Sequence, residues 1–304
     1  MYHGILPVWK ERGMTSHDVV YKVRKIIGMK KVGHTGTLDP SVEGVLPICL
    51  GQATKIASLI TDAGKEYVAR VSIGRTTETE DSDGETVDID RTWKKVTREQ
   101  LLEAIAPLIG EIEQTPPMYS AVRVNGKRLY EYAREGIPVE RPTRRVQIDE
   151  IELLDDRAVW EGEELTFDIR IACGKGTYIR TLAVAIGQAL GYPAHMASLV
   201  RTRSASFEQK DCVTLDELQT YVEQDRVRDV LLPLEDALSD FPFVELDESL
   251  HEKIRNGQVL PLDETVAERG TTVFTIGGKA LAMYNVHPTK PTLMKPEKMF
   301  PFNE

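Results

Sequence analysis

The chain has 304 residues, 41% hydrophobic and 28% charged, an ordinary globular composition with length for roughly two domains. No apolar stretch approaches the ~20 residues of a membrane-spanning helix, and the first residues, MYHGILPVWKERG, lack the basic-then-apolar pattern of a signal peptide. Three scattered cysteines (Cys49, Cys173, Cys212) argue against a disulfide framework and a zinc site, and predict a reducing, cytoplasmic setting.

The elements follow in order. Ser16 is the predicted N-cap of a helix whose Val19, Val20, Val23, Ile26 and Ile27 recur at helical spacing, with Gly28 closing it. Next comes Gly33-His34-Thr35-Gly36-Thr37-Leu38-Asp39-Pro40, a run that cannot be a regular helix and that fixes one carboxylate in an irregular loop. The apolar run Val45 to Leu50 brackets it. Tyr67 to Ile73 alternates as a two-faced strand. Residues 76–90 read as an acidic surface loop. Thr97 with Gln100 forms a capping box for a helix carrying Leu101, Leu102, Ile105, Leu108 and Ile109, stopped by Gly110.

Residues 114–145 change character. Prolines extend the first part, and a basic, tyrosine-bearing hairpin or helix follows over Val122 to Gly136, which predicts a projecting insertion. Leu165 to Ala172 is a second alternating strand. Gly174-Lys175-Gly176-Thr177 turns into a helix with Ile179, Leu182, Ala183, Ile186 and Leu190. Thr214 with Glu217 is a further capping box. Beyond Phe241-Pro242-Phe243, short apolar runs separated by Gly277-Gly278 and His287-Pro288 predict a small β-rich domain.

The net charge of −10 argues against a nucleic-acid binder, but its distribution does not. Residues 22–31 carry Lys22, Arg24, Lys25, Lys30 and Lys31 with no acid. Residues 119–145 carry seven basic side chains against three acidic ones. Residues 170–203 carry five basic side chains and no acid, whereas residues 208–265 hold sixteen Asp/Glu against five Lys/Arg. A basic face and an acidic back suit an anionic substrate.

Two chemical motifs fail on inspection. Gly28 to Thr35 matches a phosphate loop except that His34 stands where the phosphate-binding lysine is needed. Asp81, Asp83 and Gly84 sit like part of a calcium loop, but Asp90 stands where a bidentate Glu is required. The six histidines show no metal-ligand spacing.

What remains is a carboxylate in a rigid loop amid tyrosines and arginines. The Gly33 to Pro40 run, followed by Gly44-Val45-Leu46-Pro47, resembles the catalytic motif of the bacterial tRNA pseudouridine-55 synthases, the TruB family. Gly4-Ile5-Leu6 with Gly13 to Ser16, Lys65-Glu66-Tyr67, Thr79 to Gly84, Gln114 to Ala121 with Gly126 and Tyr130 to Arg134, Gly174 to Arg180 and Leu199 to Arg203 resemble further motifs of that family, in order. Lys10-Glu11 departs from its usual Lys-Pro, and Glu43 stands where a small or polar residue is common.

The resemblance implies an α+β fold: a mixed, mainly antiparallel sheet catalytic core over 1–240, a thumb-like RNA-gripping insertion at about 114–145, and a small C-terminal PUA-like β-barrel over 243–304. It implies isomerisation of uridine to pseudouridine in tRNA, at uridine 55 of the T loop, through base flipping and without a cofactor or metal. Asp39 would be the nucleophile, attacking C1′ or C6 or assisting glycal formation. Arg180 would be its counter-charge and lower its pKa. Tyr67 would stack on the detached base and serve in removing the C5 proton. Tyr178 and Leu199 would line the base pocket, Lys65 and Asp81 would belong to the substrate site, and His34 would fill the vacated stack. Arg123, Lys127 and Arg128 of the thumb would grip phosphates. The implied partner is the tRNA T arm, with no membrane and no obligatory protein partner, the enzyme acting as a monomer. The rival readings are a non-catalytic tRNA-binding or folding module, a nucleotide binder, and a related synthase that acts on ribosomal RNA with a guide complex.

Overall fold

The computed structural model describes residues 1–300. Among these, nine strands build one mixed sheet: β1 (Gly4–Lys10), β2 (Val32–His34), β3 (Glu43–Leu50), β4 (Lys65–Ile73), β5 (Gly110–Gln114), β6 (Arg144–Leu153), β7 (Leu165–Cys173), β8 (Ala194–Ser204) and β9 (Phe207–Glu208). The order is β1-β3-β8-β4-β7-β6-β5, with β2 on β3 and β9 on β8. Every pairing is antiparallel except β3 with β8, where Val200 lies opposite Glu43 and Arg201 opposite Gly44. The α+β reading holds, and this parallel seam is where the site is built.

The alternation read from β4 is the burial seen. Tyr67, Ala69, Val71 and Ile73 face the core, paired in register with Ile171, Ile169, Phe167 and Leu165 of β7. The helix Ile179–Leu190 covers them, because Ile179, Leu182, Ala183 and Ile186 recur on one face and are all buried. Each large aliphatic side chain so buried contributes about 1.5–3 kcal/mol. This sheet-and-helix core includes Leu38 and Val42, so both ends of the Asp39 loop are anchored in it.

Two expectations need correction. The helix Ser16–Ile27 is capped by Thr15, in a reciprocal box with Asp18. Ser16 is instead fully buried and turned toward the Asp39 loop. The Thr97–Gln100 box caps a helix that runs only over Arg98–Ile105 before a 3-10 turn. Leu102 and Ile109, expected on its apolar face, are exposed: Leu101, Ala104 and Ile105 carry the buried face of the helix, and Ile109 lies beyond the 3-10 turn.

The insertion is both hairpin and helix. Arg123–Val124 pairs with Lys127–Arg128, and the helix Leu129–Glu135 follows, closed by Gly136 in a left-handed conformation. The C-terminal region is β-rich as expected. Five strands run in the order Phe243–Glu245, Thr272–Ile276, Lys279–His287, Lys290–Met299, Leu260–Pro261, with helices Glu248–Arg255 and Glu264–Arg269. That path is open at both ends among the described residues. Val273, Ala280, Met283 and Phe300 pack with Ile5, Val45 and Cys49, so this unit shares a core with the main sheet.

Candidate active site

The Gly33–Pro40 stretch is half strand and half loop. Val32–His34 pairs with β3, and Thr35 extends the tie through its amide and hydroxyl, both donating to the Pro47 carbonyl at 3.2 and 3.0 Å. The loop then leaves the sheet and is clamped from below. The Leu38 amide donates to Ser16 Oγ at 2.9 Å. The Lys10 ammonium, with no solvent exposure, donates to the carbonyls of Val42 (2.6 Å), Glu11 (3.1 Å) and Pro40 (3.3 Å). Three donors meet three acceptors, the condition for burying an ammonium group. Burial still lowers the Lys10 pKa to about 8, while the nearby Asp39 carboxylate pulls it up.

Gly44 permits the seam. Its φ is +130°, and a Cβ there would lie 2.3 Å from the Arg201 carbonyl oxygen, so only glycine fits. Arg201 is 1% exposed. Its Nε donates to the Val45 carbonyl at 2.7 Å, and its Nη2 reaches the Gly36 carbonyl at 3.4 Å. Gly36 also takes a left-handed φ, of +112°. Lysine 65, at the start of β4, is buried beside Arg201 and donates to the carbonyls of Thr61 and Ala63 at 2.7 and 2.8 Å. Burial, with the Arg201 charge, lowers its pKa to about 8.

The second half comes from the helix Ile179–Leu190. Thr177 closes the preceding turn onto the Gly174 carbonyl at 3.1 Å. The Gln114 side chain then pairs with both backbone groups of Tyr178, at 2.7 and 2.9 Å. The next residue but one, Arg180, therefore projects from a fixed helix start. Its guanidinium is 3.2 Å from Asp39 Oδ2 and 3.3 Å from Asp81 Oδ2, and donates to the carbonyls of Thr79 and Tyr119, each at 2.9 Å. The acidic 76–90 loop is thus not uniformly solvated. Asp81 is buried under it, and Asp81 Oδ1 accepts the Asp83 amide at 3.0 Å.

These parts surround a cleft of about 550 Å³, lined among others by Asp39, Lys65, Tyr67, Tyr178, Arg180, Leu199 and Arg201. Arg144, Arg145 and Lys175 stand on its wall as well. Asp39 is half-buried and faces it. Burial raises the Asp39 pKa above the usual carboxylate value; Arg180 and Lys10 oppose the rise, and Asp81 and Asp83 add to it. The Arg180 charge acts to lower the Asp39 pKa, as expected, but it does not set the net direction. The guanidinium is shared with a second carboxylate, and the loss of water outweighs what remains. Tyr67 lies on the floor, its pKa raised by burial, with the Arg201 charge acting in the opposite direction. Burial likewise raises the Tyr178 pKa.

Of the residues singled out from sequence, Asp39, Lys65, Tyr67, Tyr178, Arg180 and Leu199 share the cleft, and Asp81 stands behind it on Arg180. His34 does not line it: its ring packs edge-on against His17, 5.0 Å between centroids, and burial lowers its pKa. Arg123, Lys127 and Arg128 are on the insertion, away from the cleft wall, and are engaged there. Lys127 pairs with Glu135, Arg128 donates to the Tyr130 hydroxyl at 2.8 Å, and Arg123 to the Gly126 carbonyl at 3.4 Å. Lys10, Ser16, Gln114 and Arg201 were not among the candidates. Each nonetheless lies in a stretch that the resemblance had marked: Lys10 in Lys10-Glu11, Ser16 at the end of Gly13 to Ser16, Gln114 at the start of Gln114 to Ala121, and Arg201 within Leu199 to Arg203.

The chain is similar to known proteins. Residues 24–179 match the family model of the TruB family pseudouridylate synthase N-terminal domain, and residues 180–239 that of the tRNA pseudouridylate synthase B C-terminal domain. The tRNA pseudouridine synthase B of Geobacillus thermodenitrificans is 51% identical over 299 residues, covering 98% of this chain and 99% of its own. That of Listeria innocua is 52% identical, covering 98% of each. Among solved structures, a Cbf5-Nop10-Gar1 complex contains a chain 28% identical to this one, with a TM-score of 0.72, covering 98% of this chain and 85% of that one. An H/ACA RNP bound to a substrate RNA containing 2′-deoxyuridine gives 26% identity and a TM-score of 0.72, over 99% and 86%.

Proposed function

The chain belongs to the TruB family of pseudouridylate synthases, and on that footing we propose how its cleft carries out the reaction. It isomerises uridine to pseudouridine in tRNA, at uridine 55 of the T loop. The reaction breaks the N1–C1′ bond, turns the base, and joins C5 to C1′. The C5 proton leaves and N1 gains one, so no redox partner or energy source is required.

Asp39 supplies the carboxylate on which the bond exchange depends. The observation that carries this role is its position: a half-buried carboxylate, held by a clamped loop, 3.2 Å from a buried arginine and facing the cleft. Arg180 holds the carboxylate and, through Asp81, is itself held; the planar guanidinium fork fixes both carboxylates in one geometry, which a flexible lysine ammonium does not. Tyr67, with Leu199 and Tyr178, receives the base once it is flipped out of the loop. In our scheme Tyr67 serves in removing the C5 proton as a relay: its hydroxyl accepts that proton as it passes its own to solvent, with the Arg201 charge opposing the rise in its pKa. Lys65 and Arg201 keep the inner wall cationic.

In this reading the insertion grips RNA as a thumb, with Arg123, Lys127 and Arg128 on phosphates, and the C-terminal sheet is a PUA-like RNA-binding unit. The tRNA substrate places the enzyme in the cytoplasm. It works as a monomer without an obligatory protein partner. The near full-length likeness to bacterial tRNA synthases supports this over a guide-RNA assembly of the Cbf5 type.

The test uses unmodified tRNA labelled with tritium at uridine C5. The protein releases tritium, and the modified position maps to uridine 55 in both the tRNA and an isolated T-arm hairpin. Absence of release from the wild-type protein would refute the reading.

A further inference from the structure

The helix Ser16–Ile27 has one face assigned and one not. Val19, Val20 and Val23 are buried, and its inner side packs with Leu215, Leu218 and Tyr221 of the helix Leu215–Glu223. The outer side carries Tyr21, Lys22 and Lys25, all exposed, and the turn beyond it carries Lys30 and Lys31, also exposed. From residue 19 to residue 38 the chain has no carboxylate.

Elsewhere several cations of this protein meet acids. Arg145 pairs with Glu111, Arg70 with Asp168, Lys175 with Asp62, and Lys127 with Glu135. The ammonium groups of Lys22, Lys30 and Lys31 have no ion pair or hydrogen bond among the described residues, although the Lys30 and Lys31 carbonyls accept backbone bonds. Lys25 lies 5.3 Å from the ring centre of Tyr21, which is 59% exposed. Three unpaired ammonium groups in a chain of net charge −10 form a local field complementary to a polyanion.

The helix also has a fixed relation to the cleft. Ser16, at its first turn, holds the Leu38 amide of the Asp39 loop. Its twelve residues then run about 18 Å away from that loop. An RNA duplex leaving the target loop on this side would lie along the lysines.

We propose that the outer face of this helix, with the Lys30–Lys31 turn, binds the phosphate backbone of the RNA duplex adjoining the target loop, at a site separate from the thumb. The proposal rests on tRNA being the substrate. It extends the contact with RNA beyond the cleft and the insertion. Lys22, Lys30 and Lys31 are the phosphate-binding groups, and Tyr21 with Lys25 lies between them.

The test replaces Lys22, Lys30 and Lys31 together by alanine in the full chain and, as a control, by arginine. Filter binding of unmodified full-length tRNA is followed against salt concentration. With alanine, the slope of log affinity against log salt falls by about 3, and affinity at near-physiological salt drops on the order of ten-fold or more. The arginine variant binds like the wild type. Tritium release at saturating tRNA stays at the wild-type rate in both. An unchanged slope, with affinity within about two-fold of wild type, would overturn the proposal. So would charge-dependent capture on anionic phospholipid vesicles with unchanged tRNA binding. Because binding is read without turnover, a wild-type protein that binds tRNA but releases no tritium sinks the functional reading and leaves this inference standing.

Discussion

Arg180 in the cleft and Lys127 on the insertion are both cations of the proposed RNA-handling side, yet they are held in opposite ways. Arg180 is 5% exposed, lies between two carboxylates, and donates to two carbonyls from separate loops. Lys127 is half-buried, pairs with Glu135 eight residues on, and lies 5.1 Å from the ring centre of Tyr132 in the same small unit. The cleft therefore brings distant chain segments together around buried charge, and a change there propagates to all of them. The insertion closes its charges locally in contact with solvent, so it can exchange them for phosphates at little cost. Chemistry needs the first arrangement and reversible gripping the second.

Changes at Asp39 and Arg180 probe the cleft side of this contrast most strongly. Asp39→Asn is expected to lower kcat on the order of 10⁴-fold or more, as loss of a group bonded in the reaction does. Affinity for tRNA should stay within about three-fold, measured by filter binding beside tritium release. The same variant is expected to unfold at a slightly higher temperature, because the ionised carboxylate is disfavoured by burial in the folded state. Arg180→Met leaves Asp81 buried without its counter-charge, at a cost of about 3 kcal/mol in chemical denaturation. Arg180→Lys keeps the charge but loses the bridge, so it should retain most stability and still lose kcat. Equal kcat for the lysine variant and the wild type would mean that charge alone suffices.

How far this cleft was legible depends on whether its chemistry lies within one stretch. The Asp39 loop was readable, because glycines and Pro40 mark an irregular backbone whatever surrounds it. Strands β4 and β7 were readable because each buries one face. Arg201 was not, since β8 shifts register between Met196 and Ser198 and again between Arg201 and Arg203, so alternation no longer tells which arginine points inward. Lys10 stood out only in the Lys10-Glu11 departure from the family's usual Lys-Pro. Two of its three acceptors come from residues 40 and 42, and nothing local announces them. Ser16 read as a cap because its type suits a cap; the true cap is one residue earlier, and Ser16 is turned to Leu38. The upward net direction of the Asp39 shift was not legible either, because burial sets it first and the carboxylate that adds to it lies 42 positions away.

That competition gives a subtler handle on the cleft. Asp39 must be ionised to act, so kcat/KM should fall as pH drops through its raised pKa, above the ordinary carboxylate range. Asp81→Asn removes the like charge and leaves Arg180 to Asp39 alone. The acid limb of the pH profile should then move to lower pH, even though maximal activity declines as the Thr79–Asp83 loop loosens. The stability side has the matching sign. A carboxylate with a raised folded pKa stabilises the fold at pH values below its unfolded value, and that contribution is lost as pH rises through the folded one. An unmoved limb in Asp81→Asn would show that burial alone sets the Asp39 pKa.

The smallest effects are expected on the insertion, and their smallness is the informative part. Lys127→Ala removes an exposed pair with Glu135, so stability should change by less than about 1 kcal/mol. Once Glu135 has lost its lysine, its free carboxylate also repels RNA, so affinity should fall by more than the loss of one phosphate contact. The double variant Lys127→Ala/Glu135→Ala removes that repulsion and should recover part of the loss. The salt slope of tRNA binding should drop by about 1 in both, with kcat at saturating tRNA unchanged. If Lys127→Ala instead lowered kcat as Arg180→Met does, the insertion would be part of the catalytic assembly, and the division between buried chemical charge and exchangeable surface charge would fail.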